Sequence, residues 1–218
     1  MSEKPHDYYK RLYEAYAKMF VENIYNKSWR NCFFMSEKPD LQSKTLNIGI
    51  EVTSSLDSRI QCAHHAFNKY VDKKIDGKTL KKIVTKRDQN AICQTNPLMV
   101  GLDKNHDTQE NNELNDLICS IKNKTQDKLP SYMHYKKNML YIFTESSLFC
   151  EEEIKLVWNA LKDIFLNVSL QFDFYFIDCI DKVFTLSADD GNVVEYNVSP
   201  EEMHKFTAEA ERIAMEYN

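Results

Sequence analysis

Leu46-Asn47-Ile48-Gly49-Ile50-Glu51-Val52-Thr53 is the stretch whose reading decides the fold. Leu46, Ile48, Ile50 and Val52 recur with a period of two, and the run is of strand length and rich in β-branched residues, so it predicts a short, largely buried strand. Glu51 sits inside it. A carboxylate in a buried segment needs a partner, and a metal ion is one solution; solvation at a strand end is the other. Eleven residues before Glu51 stands Asp40, preceded by Pro39, a turn residue. Two carboxylates on neighbouring strand ends suit a hard, oxygen-seeking divalent ion, which can hold a water and a phosphate oxygen together for hydrolysis.

On the N-terminal side, Trp29 to Met35 and Asp40 to Gln42 read as further short strands, with Glu37-Lys38-Pro39 and Ser43-Lys44-Thr45 as turns. Connections this short favour an antiparallel meander. From His6 to about Asn26 the spacing predicts an amphipathic helix, with Tyr9, Leu12, Tyr13, Tyr16, Met19, Phe20, Asn23 and Ile24 inward. Glu14 and Glu22 fall off that face.

On the C-terminal side, Ser54-Ser55-Leu56-Asp57 opens a helix to about Lys74, Asp76-Gly77 breaks it, and a basic helix runs to about Lys86. Asp103 to Glu113 predicts a polar loop. A helix follows with Leu114, Leu117, Ile118 and Ile121 on one face, ending before Leu129-Pro130. Continuing that face by helical steps puts Lys124, Thr125 and Lys128 inward. Asn138 to Thr144 and Asp173 to Cys179 predict buried strands separated by a helix from Glu151 to Phe165. Lys182 to Leu186 and Val193 to Val198, joined by Ala188-Asp189-Asp190-Gly191-Asn192, predict a hairpin. Ser199-Pro200-Glu201-Glu202 starts the last helix, with a Ser cap, Pro in the first turn and acids at the positive dipole end.

Bulk composition narrows the classes. At 218 residues and 43% apolar, the chain can bury a core as one domain spanning 1–218. Only four Gly and no Gly-x-x-x-x-Gly-Lys or Gly-x-Gly-x-x-Gly exclude a glycine-built nucleotide site. Asp103-Lys104-Asn105-His106-Asp107 begins like a calcium loop, but Thr108 and Leu114 stand where that loop needs Gly and Glu. Six scattered Cys without a Cys-x-x-Cys pair suit reduced thiols. No apolar run approaches ~18 residues and the N-terminus lacks an apolar signal region, so the expectation is a cytoplasmic protein with no membrane segment. A net charge of −5 gives no overall attraction to nucleic acid. The segment 69–87 runs against it: Lys69, Lys73, Lys74, Lys78, Lys81, Lys82, Lys86 and Arg87 are opposed only by Asp72, Asp76 and Asp88. It reads either as a phosphate-tracking surface or as a solvated helix face.

Pro39-Asp40 and Glu51-Val52-Thr53, within the order helix, meander, helix, strand, resemble the PD-(D/E)XK nuclease superfamily. Thr53 stands where that motif has Lys. The resemblance covers roughly residues 6–145 and implies an α/β fold: a mixed central sheet flanked by helices on a restriction-endonuclease-like core. Residues of about 57–112 would be a helical insertion, and 146–218 would extend the sheet and add the last helix. The resemblance also implies that Asp40, Glu51 and the Val52 carbonyl bind Mg²⁺ or Mn²⁺, and that the chain is a metal-dependent nuclease acting on nucleic acid. Thr53 can donate a hydrogen bond but carries no charge. In some members the Lys comes from elsewhere, commonly the following core helix, and here Lys124, Lys128 or Lys69 could supply it. The alternative is a nuclease fold retained without catalysis, as a binding or regulatory module.

Overall fold

The computed structural model describes residues 5–55, 79, 82, 91–96, 99–104, 109–131, 135–144, 149–166, 171–179 and 181–216. The chain divides into two compact units, one formed by residues 1–55 and 117–218, the other by residues 56–116.

The first unit is an α/β layer structure on a seven-stranded mixed sheet. Helix α1 (Pro5–Phe20) widens into one π-helical turn, Val21–Tyr25. Strands β1 (Phe34–Met35), β2 (Leu41–Ser43) and β3 (Ile48–Ser54) then form an antiparallel meander. The first strand is much shorter than Trp29 to Met35. Asn26 accepts hydrogen bonds from the Ser28 backbone and hydroxyl, starting a 3-10 turn at Lys27–Trp29, and Asn31 adopts a positive φ of 61°. That local side-chain bonding diverts the backbone from the ladder.

Strand β6 (Lys137–Thr144) runs parallel to β3, and β7 (Phe174–Cys179) runs parallel to β6. Helix α3 (Glu151–Phe165) lies between β6 and β7 in the chain. The sheet closes with antiparallel β8 (Lys182–Ser187) and β9 (Val193–Asn197), so the order is β1-β2-β3-β6-β7-β8-β9. Gly191 makes the β8–β9 turn at φ 70°, and a Cβ there would meet the Trp158 indole, so only glycine fits. Helix α4 (Pro200–Glu216) opens with a capping box: the Ser199 hydroxyl accepts from the Glu202 N–H while the Glu202 carboxylate accepts from the Ser199 N–H.

Alternation along the strands sorts the core into two faces. Ile48, Ile50, Val52, Met139, Tyr141 and Phe176 pack with Ala17 and Phe20 of α1, Val21 of the π-helical turn and Phe206 of α4. Leu140, Ile142, Tyr175 and Ile177 are the alternating, equally buried residues of the other face. The second unit contains, among its described residues, the antiparallel pair β4 (Ala91–Asn96) and β5 (Met99–Lys104) and the start of helix α2 (Gln109–Asn123). The strand pair was not expected within the helical insertion, and of the polar loop expected over 103–113, residues 103–104 end β5 and 109–113 begin α2, while 105–108 lie outside the described residues. The helices expected between Asp57 and Lys86 lie outside the described residues. Among the described residues no helix is long and apolar enough to cross a membrane.

Candidate functional site

The site assembles where the meander loses its outer strand. In the β2–β3 ladder Leu41 pairs with Ile50, so Asp40 falls opposite Glu51, just beyond the last paired residue of β2. Val52 would otherwise have an unpaired edge N–H. The Asp40 carboxylate supplies the partner: Val52 N donates to Asp40 Oδ2 at 2.8 Å. A strand residue presents its N–H and C=O to the same side, so the Val52 carbonyl also emerges on the Asp40 side. Asp40 and Glu51 are both buried, at 3% and 5% exposure.

Glu51 receives its counter-charge from a distant part of the chain. Beyond α2 the helix continues as a π-helical turn, Lys124–Lys128, and Lys124 Nζ donates to Glu51 Oε1 at 2.7 Å. The i→i+5 bonding of that turn adds a residue to the helical repeat and rotates later side chains off the inward face. Thr125 is buried, where regular helical steps place it, while Lys128, expected inward by the same steps, is exposed. Lys124 therefore meets the strand carboxylate and Lys128 does not. Thr53 is half-buried and, two residues beyond Glu51 along β3, shares its face. Lys69 and nearly all of the basic segment 69–87 lie outside the described residues; Lys82, which is described, is exposed.

Helix α1 contributes a third carboxylate that the helical pattern did not place inward. Glu14 is 5% exposed. It lies near enough to the Asp40 carboxyl for its charge to act on that group, and its Oε1, although buried, accepts no hydrogen bond of good geometry. Lys10, one turn earlier, reaches the same place, with Nζ 3.4 Å from Glu14 Oε1 and 3.5 Å from Asp40 Oδ1. The inward face was drawn through the large aromatics, whereas the helix buries the small Ala15 and Ala17 with Phe20, which turns Glu14 toward the strand ends. The overlooked signal was the repeated Lys-x-x-x-Glu spacing of Lys10–Glu14 and Lys18–Glu22. Glu22 serves a different purpose: its carboxylate accepts from the Phe33 N–H at 2.9 Å and from Lys18 Nζ at 2.7 Å, tying the end of the helix to the approach to β1.

The electrostatics follow from this crowding. Burial pushes the Asp40 carboxyl up to about 8; the neighbouring charges of Glu51 and Glu14 add to the effect, and the Val52 N–H and Lys10 oppose it. Burial likewise raises Glu14 against the pull of Lys10. Burial works against the Lys10 ammonium, but Asp40, Glu14 and Glu37 outweigh it and hold Lys10 above its ordinary value.

Among the described residues no three His, Cys, Asp or Glu side chains are gathered closely enough to hold a metal ion as they stand. Mg²⁺ and Mn²⁺ need less than that: one or two protein carboxylates, with waters completing the shell. The donor set is all oxygen, and the buried Glu14 Oε1 has acceptor capacity to spare. An all-oxygen donor set of this kind is the chemistry a hard divalent cation takes. Comparison with protein-family models, curated proteins and solved structures returns no match for this chain.

Proposed function

We propose that the protein is a metal-dependent nuclease that hydrolyses phosphodiester bonds in nucleic acid, on a restriction-endonuclease-like core. The observation that carries this reading is the 2.7 Å contact between Lys124 and Glu51. It brings a lysine from the helical segment before β6 to a strand whose own motif position holds Thr53. Asp40, Glu51 and the Val52 carbonyl would hold Mg²⁺ or Mn²⁺. Such an ion supplies an activated water and polarises a phosphoryl oxygen. Lys124 offsets negative charge developing on the phosphate, and Thr53 donates a hydrogen bond to the water or the phosphate. The basic segment 69–87 would track the nucleic-acid backbone.

A second reading has an observation of its own. Lys10 and Lys124 already neutralise the carboxylates, as they would in a nuclease fold kept as a binding or regulatory module. Cleavage decides between the two. Wild-type protein and Glu51→Gln are incubated with a panel of DNA and RNA substrates in Mg²⁺ or Mn²⁺, with chelator controls. The nuclease reading expects metal-dependent cleavage by wild type and its loss in the variant. Equal residual cleavage by both proteins would mark a contaminant and defeat the enzyme reading.

A further inference from the structure

Lys10 Nζ is surrounded by carboxylates: Glu14 Oε1 at 3.4 Å, Asp40 Oδ1 at 3.5 Å and Glu37 Oε2 at 3.9 Å. All three separations exceed those of charge-assisted hydrogen bonds, which are about 2.7–2.9 Å. The chain makes tight pairs elsewhere: Lys124–Glu51 and Lys18–Glu22 both close to 2.7 Å. Lys10 is different. It neutralises Asp40 and Glu14 without satisfying them, and Glu14 Oε1 keeps an unused acceptor site in a buried position. The side chain is also placed to leave. It is 43% exposed and its third partner, Glu37, is 92% exposed, whereas Lys124 is 23% exposed. Oxygens spread around a loosely held ammonium make a cation shell with a monovalent occupant on a flexible tether.

We propose that Lys10 is a built-in counter-ion held beside Asp40, the carboxylate that would also hold the divalent metal, so that metal enters only as the Lys10 ammonium swings out. This rests on the reading of Asp40 as a metal ligand and adds a regulation to it. Without metal, Lys10 offsets the repulsion among the carboxylates and lets the centre fold. With metal, the like charge of the ammonium at this range is unfavourable, and the exposed stem carries it into solvent. Metal affinity is thereby held low by the chain itself, and loading follows the free metal concentration.

Lys10→Met keeps the aliphatic stem and removes the charge, and Lys10→Arg keeps the charge; Lys10→Gln replaces Lys10→Met should the latter fail to fold. Mn²⁺ binding is measured on the full chain by titration calorimetry. Lys10→Met is expected to bind Mn²⁺ at least about tenfold more tightly than wild type, the order of effect a like charge exerts at a few ångströms. Lys10→Arg is expected to stay near wild type. The metal-free melting temperature of Lys10→Met should fall and recover on adding Mn²⁺. Wild-type or weaker affinity in Lys10→Met would overturn the counter-ion proposal and leave the metal centre standing. Absence of Mn²⁺ binding in wild type and both variants would overturn the two together.

Discussion

Asp40 is held by a backbone N–H, pressed by two neighbouring carboxylates and shut away from water. An Asp in the unfolded chain releases its proton near 3.9, while the folded chain retains it up to about 8. Between those values the folded state binds more protons than the unfolded one, so stability falls as pH rises. The metal-free melting temperature is therefore expected to drop steadily from pH about 4 to 8. Asp40→Asn, which imitates the protonated acid, should flatten that decline. Equal slopes in the two proteins would show that Asp40 is not the titrating group. Glu51 and Lys124 invite a second test. Lys124→Met leaves a buried carboxylate without its counter-charge and is expected to cost about 1–3 kcal/mol in urea unfolding. Adding Glu51→Gln should recover much of that loss, and a purely additive double variant would deny the coupling. At this scale Glu51 and Lys124 were legible as candidates, because a carboxylate or lysine inside an apolar period stands out, and Asp40 through its Pro39-Asp40 spacing to Glu51. Glu14 and Lys10 were not: an aromatic-weighted helical face misjudged a helix that buries alanines.

The elements fix these side chains through two irregularities. One is the π-helical turn at Lys124–Lys128, within which Thr125 stays inward and Lys128 faces out. The face count favours Lys124 over Lys128 from sequence alone, but the i→i+5 register that takes Lys128 off the face leaves no mark in hydrophobic spacing. The other is the closeness of β3 to the turn that carries Asp40. A Cβ on Gly49 would lie 2.6 Å from Tyr135 Cδ2 and 2.7 Å from Pro39 Cγ. Tyr135 cannot easily yield, because its hydroxyl donates to Gln42 Oε1 at 2.7 Å in a buried position. Gly49→Ala is expected to lower stability by about 1–3 kcal/mol and to displace Pro39-Asp40 from the strand end. Thermal melting checks the first effect and Mn²⁺ titration the second. A variant that melts and binds like wild type would mean that the turn has slack.

Across the whole molecule, strand and helix order was readable where periods were strong, as in Glu151–Phe165, Phe174–Cys179 and the β8–β9 hairpin. Pairing was less so. Buried runs such as Met139-Leu140-Tyr141-Ile142-Phe143 announce a central strand, but the insertion of β6 between β3 and β7 is a tertiary choice. The pair β4–β5 went unread because Ala91-Ile92-Cys93-Gln94-Thr95-Asn96 has neither a clean alternation nor a sustained apolar run. The architecture builds one charged junction: the end of β3, the approach to β2, the first helix and the π-helical turn before β6 all deliver charged side chains there. The most direct test is thermal melting near neutral pH across a Mg²⁺ and Mn²⁺ titration, comparing wild type with the Asp40→Asn/Glu51→Gln double variant. A divalent-metal centre predicts a wild-type melting temperature that climbs with metal, corresponding to about 2.7 kcal/mol at a hundredfold excess over Kd, and no climb in the double variant. A wild type indifferent to metal, or an increase that survives the double substitution, would contradict it.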